Sequence, residues 1–328
     1  MKKNYRWGIL GAGKIADKFC TALSFVEGAE VYAVASRDIE KAKQYADKYN
    51  ATVYYDNYEA LRKDENIDII YIAIPHALHF EQAMACIQQK KPVLCEKPMT
   101  LSFHQTKILI ETAAENKVFL MEGMWTACMP FIKRIKEIIE QDIIGEINYL
   151  SADFGFKAPL DVESRLYNKA LGGGSLMDVG IYPLSFATMF LGKPESIKVI
   201  SKLSTTGVDE YCNILLKYGG GATAHLLSSI TFNTAIEATI IGSKGSIKVD
   251  SPWFKATTLT VSLNDGEVQH YSMPHQSNGF EYEIMEVMNC LDNKLLESDK
   301  VPHHFSLTIS RLMEDILAEV GVNYESQI

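Results

Sequence analysis

A glycine-rich turn between an apolar strand and a helix constrains the fold of this chain more than any other feature. Residues 6–10 are predicted to form a strand, and Gly11, Gly13 and Ala16 follow at the spacing G-x-G-x-x-A, in a segment with helical periodicity. In that context the first glycine permits a tight turn, the second lets the backbone approach a pyrophosphate, and Ala16 allows helix and strand to pack closely. We therefore predict a dinucleotide-binding site, with a tight turn that binds no ligand as the alternative. The predicted cofactor contacts at this turn are Gly11, Gly13, Lys14 and Ile15.

Alternating strand and helix patterns through the first part of the chain predict a doubly wound parallel sheet. Residues 68–74 form a nearly unbroken apolar run, which is typical of a parallel strand covered on both faces. After Trp125 the pattern changes to an amphipathic helix and then to alternating strand candidates, with a hairpin turn predicted at 242–245. The predicted fold is α/β, with an N-terminal Rossmann domain at residues 1–123 and a C-terminal α+β domain at residues 124–328 that contains a large, mostly antiparallel open sheet. The candidate strands of the second domain are 146–154, 196–203, 210–218, 222–231, 236–241, 246–250, 257–263 and 267–272.

The end of the second predicted strand indicates which dinucleotide binds. Ser36 and Arg37 stand where an NAD-specific fold usually carries an Asp or Glu that accepts from the ribose 2′-hydroxyl. A hydroxyl and a guanidinium there favour a 2′-phosphate, and Lys41 would add a second positive contact. We therefore predict NADP as the cofactor, with NAD less favoured. In the alternative, Arg37 pairs with a surface acid such as Asp38 or Glu40.

A lysine follows a further predicted strand at the edge of the sheet where ligands bind. The apolar run 92–95 leads into Glu96 and Lys97, and open α/β sheets bind ligands beyond the carboxyl ends of their strands. This location predicts that Lys97 lies between cofactor and substrate, and it adds Glu96 and Lys97 to the predicted cofactor contacts. An exposed ion pair before Pro98 is the alternative. His79, at the start of the preceding helix, is predicted either to contact the cofactor or to cap or pack that helix.

The most informative stretch of the second domain is 171–182, which contains three consecutive glycines. Ser175 and Asp178 match S-x-x-D, so in one interpretation Asp178 has only a capping role. In the other, Asp178 and Tyr182 lie four residues apart on one helix face, so that a carboxylate and a phenol point the same way. With Lys97 these groups form an acid–base set for alcohol oxidation, because loss of hydride from a carbinol carbon requires loss of the hydroxyl proton.

The identity of the proton acceptor stays open at this point. A tyrosine has a pKa of about 10 and is a poor base at neutral pH, whereas a lysine ammonium within hydrogen-bonding range lowers that pKa. Either Tyr182 or Lys97 accepts the proton. Pro183 within the predicted helix indicates a kink or a later helix start.

Composition argues against several other classes of protein. At 328 residues with 47% hydrophobic residues, the chain is long enough for two domains, and its formal charge of −9 argues against a nucleic-acid surface. The six cysteines show no C-x-x-C spacing, and the histidines lack partners at zinc-type spacing, so we predict buried free thiols and no metal site. The sequence contains no signal h-region and no long uninterrupted apolar segment, so we expect a cytoplasmic protein.

Three motifs in order resemble the glucose–fructose oxidoreductase, inositol dehydrogenase and rhizopine catabolism (Gfo/Idh/MocA) family, and the resemblance spans essentially the whole chain. The motifs are the glycine turn with Ala16, Glu96-Lys97-Pro98, and the segment from Gly172 through Asp178 and Gly180 to Tyr182. Within the family the chain is most similar to the branch of dimeric dihydrodiol dehydrogenases and NADP-dependent D-xylose dehydrogenases. That similarity rests on residues 6–9, 35–38 and 122–125.

The resemblance implies an active site between a Rossmann domain and a C-terminal domain whose open sheet forms a homodimer. It assigns catalysis to Lys97, Asp178 and Tyr182, and recognition of the 2′-phosphate to Arg37. Many relatives have histidine in place of Tyr182 and asparagine in place of His76, so the base and that cofactor contact differ from the usual pattern. The predicted substrate residues, as walls around a sugar ring or an apolar diol, are Trp125, Phe154, Arg165, Trp253 and Phe280.

These features predict an NADP(H)-dependent oxidoreductase that transfers hydride between the nicotinamide and a carbinol or carbonyl carbon of a sugar or cyclic diol. The alternative is a non-catalytic, NADP-sensing regulator on the same fold, as some relatives are. Such a regulator would have little reason to keep all three catalytic groups.

Overall fold

The structure is a computed structural model that describes residues 4–324. Backbone contacts divide the chain into two compact units, each assembled from two separate segments. The first unit contains Met1–Cys128 and His275–Leu307, and the second contains Met129–Pro274 and Thr308–Ile328. This division differs from the predicted single boundary after residue 123 mainly in its treatment of residues 275–307. The domain assignment itself stays a prediction.

A parallel sheet forms the centre of the first unit and confirms the predicted doubly wound α/β architecture. Within residues 4–324 it has six strands in the order β3-β2-β1-β4-β5-β6, and every adjacent pair is parallel. The strand order reverses between β1 and β4, which is where such sheets bind their ligands. All residues of β4 are buried, as its unbroken apolar run predicts. The strands are β1 Tyr5–Leu10, β2 Ala29–Ala35, β3 Val53–Tyr55, β4 Ile69–Ile72, β5 Val93–Glu96 and β6 Leu120–Gly123.

Helices connect these strands, and side-chain caps define where several of them begin. Asp38 accepts from the backbone N–H groups of Glu40 and Lys41, so it caps the second helix. Asn57 and Ser102 cap two further helices in the same way. The helices are α1 Lys14–Leu23, α2 Ile39–Tyr49, α3 Tyr58–Lys63, α4 His79–Gln88 and α5 Phe103–Asn116.

The second unit contains a large, mostly antiparallel sheet, as predicted. In the described part of the chain it has eight strands in the order β14-β13-β12-β11-β7-β10-β9-β8. Adjacent strands are antiparallel except for β7 and β10, which pair in parallel at the centre. The predicted hairpin turn at 242–245 connects β11 to β12. The strands are β7 Ile147–Gly155, β8 Ser196–Leu203, β9 Asp209–Lys217, β10 Thr223–Ser229, β11 Ala238–Gly242, β12 Gly245–Val249, β13 Thr258–Leu263 and β14 Val268–Ser272.

One face of this sheet is covered and the other is open. Helices α6 Pro130–Glu140 and α7 Ile181–Leu191 belong to this unit, and α7 packs on β7 and β10. Side chains that alternate with the covered ones point to the opposite face. The pairing register places four aliphatic residues there, with 70%, 57%, 41% and 51% of their surface exposed in order. They are Ile200, Leu215, Ile241 and Val268.

Residues 275–307 complete the first unit by covering the edge of its sheet at β6. They contribute α8 Glu281–Asp292 and the first residues of α9 His303–Glu319. Leu120 of β6 donates from its backbone to the carbonyl of Leu296 at 3.1 Å, and its own carbonyl lies 2.9 Å from Nε2 of His303. An edge strand whose backbone groups are bound in this way is protected from pairing with other chains.

Buried thiols and a buried apolar stretch complete the description of the core. All six cysteines are free and buried, as predicted. The stretch Lys169–Leu191 is apolar and long enough to cross a membrane, but 83% of its most apolar part is buried inside the structure, as in a core helix. Among residues 4–324, no group of three or more His, Cys, Asp or Glu side chains is arranged to hold a metal ion.

Candidate active site

The turn after β1 has the geometry that a diphosphate site requires. Gly11 has a φ of 111°, and a Cβ on it would lie 2.4 Å from the carbonyl oxygen of Ala73, so only glycine fits. A Cβ on Gly13 would meet no atom within 4 Å, so the space beside this residue is open. Helix α1 begins directly afterwards with Lys14 and Ile15, without a side-chain cap. Its first turn therefore presents free N–H groups and the positive end of the helix dipole to an anion.

Helix α2 holds this turn and the start of α1 in place. The phenol of Tyr45 donates to the carbonyl of Gly13 at 2.7 Å, and the phenol of Tyr49 donates to the carbonyl of Asp17 at 2.9 Å. Burial raises the pKa of Tyr45, so its phenol remains a hydrogen-bond donor at neutral pH. Lys48 pairs with the carboxylate of Asp17. The glycine turn is thus supported from the next helix along the chain.

Two exposed cations lie beside the end of β2. Arg37 is exposed, and within residues 4–324 the structure contains no ion pair between Arg37 and Asp38 or Glu40. The carboxylate of Asp38 instead caps α2 and lies 3.8 Å from the ammonium of Lys41. Ser36 is buried, and its hydroxyl accepts from the N–H of Asp38 at 3.2 Å. The guanidinium of Arg37 is therefore available for a phosphate.

Buried carboxylates hold the segment that carries Lys97 at the end of β5. Glu96 accepts from the backbone N–H of Lys97 at 3.2 Å and from the phenol of Tyr71. Glu122 on the adjacent strand β6 accepts from the N–H of Met99 at 2.8 Å. Its other oxygen accepts from the hydroxyl of a residue of α9 at 2.6 Å. The backbone on both sides of Pro98 is thereby fixed to the sheet.

His79 ties the same segment to the end of β4. Its ring is completely buried, with Nδ1 2.8 Å from the carbonyl oxygen of Pro98 and Nε2 2.8 Å from that of Ile74. Both ring nitrogens therefore contact the backbone. This location favours the packing role among the two predicted for His79, and its contact with the cofactor stays a prediction.

In the second unit, a buried aspartate anchors the segment that carries Asp178. The residues Leu176–Gly180 form one turn of π-helix, a form that often occurs at functional sites, and α7 continues from it. Asp209 of β9 accepts from the N–H of Leu176 at 2.7 Å and from the hydroxyl of Ser175 at 2.6 Å. A Cβ on Gly174, which has a φ of 107°, would lie 2.3 Å from the other oxygen of Asp209. Asp209 and the glycine therefore set the start of this helix together.

The capping-box alternative for Asp178 is wrong. Ser175 makes no capping hydrogen bond to the helix, because its hydroxyl binds Asp209 and Ser228. The carboxylate of Asp178 instead pairs with the guanidinium of Arg165, with its Oδ1 2.6 Å from Nη1 and its Oδ2 3.4 Å from Nη2. Asp178 is buried whereas just over half of the Arg165 side chain is exposed. The structure thus joins a predicted catalytic carboxylate to a predicted substrate residue.

An aromatic cluster surrounds Tyr182, four residues further along. Its ring centroid lies 5.5 Å from that of Phe154 and 5.6 Å from that of Phe254, and these two phenylalanines stack at 4.3 Å. Trp253 lies outside this cluster, because it is fully buried against Phe186 and its N–H donates to a backbone carbonyl at 2.8 Å. The residue next to it, Phe254, is thus the better candidate for a substrate wall, and the role given to Trp253 stays a prediction.

The two aromatic residues predicted as substrate walls in the first unit pack on each other. The rings of Trp125 and Phe280 stack at 4.3 Å, and Phe280 also meets the edge of Phe19 at 6.3 Å. Both predicted residues are buried, with 6% and 1% of their surface exposed. Their contribution to substrate binding stays a prediction.

The sequence analysis did not identify the residues that hold the backbone of the site segments in place. Tyr45, Glu122 and Asp209 each bind a backbone group in a segment far from them along the chain. Phe254 was missed because the sequence analysis assigned the substrate-wall role to the larger aromatic residue beside it, Trp253. The segment 122–125 was noted only for its resemblance to the family. The structure shows that its carboxylate, Glu122, fixes the backbone of Met99.

Comparisons with known proteins agree with this architecture. Residues 5–124 match the family model described as the oxidoreductase family with an NAD-binding Rossmann fold, and residues 132–248 match the GFO/IDH/MocA C-terminal domain. The chain is 36% identical to trans-1,2-dihydrobenzene-1,2-diol dehydrogenase of Xenopus tropicalis, covering 97% of this chain and 99% of the relative. It is 32% identical to the protein of that name from Homo sapiens, covering 97% and 98%.

Two solved structures share the fold at lower identity. An aldose-aldose oxidoreductase from Caulobacter crescentus, complexed with glycerol, has a TM-score of 0.88 at 23% identity, covering 97% of this chain and 98% of that one. A 3-ketoreductase from Actinomadura kijaniata in complex with NADP and TDP-benzene has a TM-score of 0.86 at 24% identity with the same coverage. The fold, the glycine turn and the full-length relatives lead to one conclusion: this chain belongs to the Gfo/Idh/MocA oxidoreductase family and is an NAD(P)-dependent dehydrogenase acting on CH–OH groups.

Proposed function

We propose that this enzyme uses NADP(H) to interconvert the carbinol and carbonyl forms of a cyclic diol or a sugar. The observation that carries the substrate class is 36% identity, over almost the whole chain, to an enzyme named for a trans-1,2-dihydrobenzene-1,2-diol. The preference for NADP rests on Arg37 and Lys41, two exposed cations at the place where NAD-specific folds usually carry an acid.

The residues proposed to hold the cofactor follow the carboxyl edge of the first sheet. The open turn at Gly11 and Gly13, with Lys14 and Ile15, suits the diphosphate. Ser36, Arg37 and Lys41 suit the 2′-phosphate, and His79, Glu96 and Lys97 suit the end that carries the nicotinamide. When bound, NADP supplies the hydride acceptor or donor. The protein supplies binding, orientation and the route for the proton.

Lys97, Asp178 and Tyr182 are proposed to handle that proton. In the oxidative direction the phenolate of Tyr182 accepts the proton of the substrate hydroxyl, and the ammonium of Lys97 stabilises the phenolate form. The carboxylate of Asp178, held by Arg165 at 2.6 Å, orients the reacting groups. In the reductive direction Tyr182 returns the proton to the new alkoxide.

The aromatic side chains favour a ring-shaped substrate. Phe154 and Phe254 stack on each other beside Tyr182, and together they offer an apolar surface to the face of a cyclic diol or sugar. Trp125 and Phe280 form a second stacked pair in the first unit. The partly exposed guanidinium of Arg165 is suited to donate hydrogen bonds to ring hydroxyls.

A screen of turnover tests this function. The purified enzyme is mixed with NADP and a panel of cyclic trans-diols and aldoses, and the absorbance of NADPH is followed. We expect turnover on at least one member of the panel, with NADP preferred over NAD. Tight NADPH binding without turnover on any diol or aldose would contradict the proposed substrate class.

Arg37→Ala is expected to reduce the enzyme's selectivity for NADP. Because charged hydrogen bonds contribute roughly 1.5–3 kcal/mol, kcat/KM for NADP should fall about 10- to 100-fold, while the value for NAD should change less than about threefold. Lys43→Ala, which removes an exposed charge from α2, the helix that follows Arg37, is the control and should leave both values unchanged. Equal losses for NADP and NAD would mean that Arg37 is only a surface charge.

We also propose a homodimer formed through the open face of the second sheet. The observation behind it is the set of four exposed aliphatic side chains on the open sheet face, since exposed apolar surface commonly marks interfaces. Leu215→Glu should shift the protein toward the monomer in sedimentation velocity. Phe25→Glu, at an exposed hydrophobic residue of the first unit, should leave the dimer intact. A wild-type protein that sediments as a monomer at all concentrations would exclude this assembly.

A cytoplasmic location is the remaining proposal. All six cysteines are buried and free, as expected in a reducing compartment. The apolar stretch of the second unit is buried in its core, so it offers no membrane anchor.

A further inference from the structure

Glu283 is a completely buried acid whose presence the proposed mechanism does not explain. It lies in the first turn of α8, with none of its surface exposed. Neither of its carboxyl oxygens has a hydrogen-bond partner within residues 4–324. Burying an ionised acid in such a location costs much free energy, and even a neutral acid without a hydrogen-bond partner carries a smaller cost, so its presence calls for an explanation.

The side chains around Glu283 connect it to the segment that carries Lys97. The charge of Glu96 acts on Glu283 and raises its pKa. Glu96 in turn accepts from the phenol of Tyr71 and the N–H of Lys97. Tyr71 stacks on Phe19 with 3.7 Å between centroids, and Phe19 in turn meets Phe280, at the start of α8. Glu283, one turn after Phe280 on α8, is thus linked through Phe19 and Tyr71 to the carboxylate that fixes the backbone of Lys97.

Of the two carboxyl groups, Glu96 and Glu283, one stays neutral, because the titratable groups considered on the surrounding elements supply no positive charge to balance a second carboxylate. Burial, and then the charge of Glu96, raise the pKa of Glu283 well above its ordinary value. Burial likewise raises the pKa values of Tyr71 on β4, Cys20 on α1 and Cys128 before α6, so these groups are neutral and offer no countercharge. Further along α8, Glu286 is already paired with Lys300 at 2.7 Å. Because Glu96 accepts two hydrogen bonds, Glu96 is the ionised member and Glu283 keeps the proton.

We propose that Glu283 is a positioning residue for Lys97: as a neutral acid it allows the Glu96 carboxylate to stay in place and hold Lys97, and when it ionises it displaces Glu96 from that contact. The inference deepens the proposed function, because it rests on the role given to Lys97. Two like charges in a dry site repel strongly, so ionisation of Glu283 loosens the segment from Lys97 to Met99. The enzyme then loses activity at alkaline pH because Lys97 is no longer held in place.

The sign of the effect on stability follows from the raised pKa of Glu283. The folded protein keeps a proton that the unfolded chain releases above its ordinary pKa of about 4.3. The stabilising contribution of Glu283 is thus complete below that pH and is lost as the pH rises through the folded value. Glu283→Gln has no proton to lose. The ratio of unfolding constants, wild type over Glu283→Gln, should therefore grow about tenfold for each pH unit in that interval.

The test compares wild type, Glu283→Gln and Glu115→Gln, the last being the same change at an exposed site of the first unit. Both kcat on the best substrate of the panel and NADPH affinity are measured from pH 6 to 10, on roughly the scale over which buried acids titrate. We expect both to fall at alkaline pH in wild type and in Glu115→Gln. In Glu283→Gln that fall should be absent or shifted, leaving kcat about tenfold higher than in wild type at the alkaline end.

A merely structural role would produce a different result. If Glu283→Gln changes the pH dependence of unfolding but its kcat and NADPH profiles coincide with those of wild type, the positioning role is overturned. Loss of activity at every pH with normal folding would also overturn it, because the acid itself would then be required. If Glu283→Gln does not fold, Glu283→Leu serves, since an apolar side chain of similar size is often tolerated in place of a buried ionisable group.

The outcome for Glu283 can be separated from that for the proposed function. If no substrate of the panel is turned over, the proposed substrate class fails, and the NADPH affinity profile alone decides the role of Glu283. A wild-type affinity that weakens at alkaline pH, together with a flat profile for Glu283→Gln, supports the positioning role. Profiles that coincide overturn it.

Discussion

Lys97→Met is expected to lower kcat by about two to four orders of magnitude, the usual range for loss of an acid–base group. Methionine keeps most of the aliphatic length of lysine but removes the ammonium that stabilises the phenolate form of Tyr182 in the proposed mechanism. The backbone of the segment should stay in place, because Glu96, Glu122 and His79 bind its main-chain groups or neighbours. Steady-state turnover on the best panel substrate measures the effect.

Two controls separate a chemical role of Lys97 from a loss of binding. Lys107→Met removes an exposed ammonium from α5 and should leave kcat unchanged. NADPH affinity of Lys97→Met should stay within about tenfold of wild type, since one contact among many is lost. Tyr182→Phe should lose a similar factor, and the double variant little more than either single change, as for groups that act as a unit. Full turnover by Lys97→Met with normal NADPH binding would refute the role.

Gly11→Ala and Gly13→Ala are expected to fail in opposite ways, although both change one glycine of the same turn. A methyl group on Gly11 would lie 2.4 Å from the carbonyl oxygen of Ala73 at a φ of 111°. The steric and backbone costs should together destabilise the protein by about 2–4 kcal/mol. A methyl group on Gly13 would enter open space. Gly13→Ala should therefore fold normally.

The effect of Gly13→Ala should appear in NADPH binding. The open space at Gly13 is the proposed approach of the diphosphate, so a methyl group there should weaken NADPH binding about tenfold or more. Thermal unfolding and NADPH titration of both variants decide the matter. Equal stability of the two variants would contradict the steric argument for Gly11. Unchanged NADPH affinity in Gly13→Ala would place the diphosphate elsewhere.

The architecture was predictable from the sequence because its signals are local. The glycine turn follows its strand directly, the apolar run at 68–74 marks a strand buried on both faces, and Asp38 stands immediately before the helix it caps. The hairpin at 242–245 is equally local. Each of these features depends on residues within one turn or one strand, so its pattern appears in a short window of sequence.

The parts that were missed depend on contacts between distant segments. The S-x-x-D pattern at Ser175 matched a capping box, but tertiary structure supplied a stronger partner in Asp209, and Asp178 turned to Arg165 instead. Nothing near Glu283 in sequence indicates that it is completely buried or that the charge of Glu96 acts on it. The parallel pairing of β7 with β10 was hidden for the same reason.

The late arrival of residues 275–307 has a consequence for biosynthesis. The strands β1 to β6 leave the ribosome first, but the groups that bind Leu120 and Glu122 belong to Leu296, His303 and Ser306. At a synthesis rate of about 5–20 residues per second, residues 275–307 are made on the order of ten seconds after the edge strand β6. During that interval its unpaired backbone is a target for chaperones, and a message truncated before codon 275 would produce a chain that never covers it.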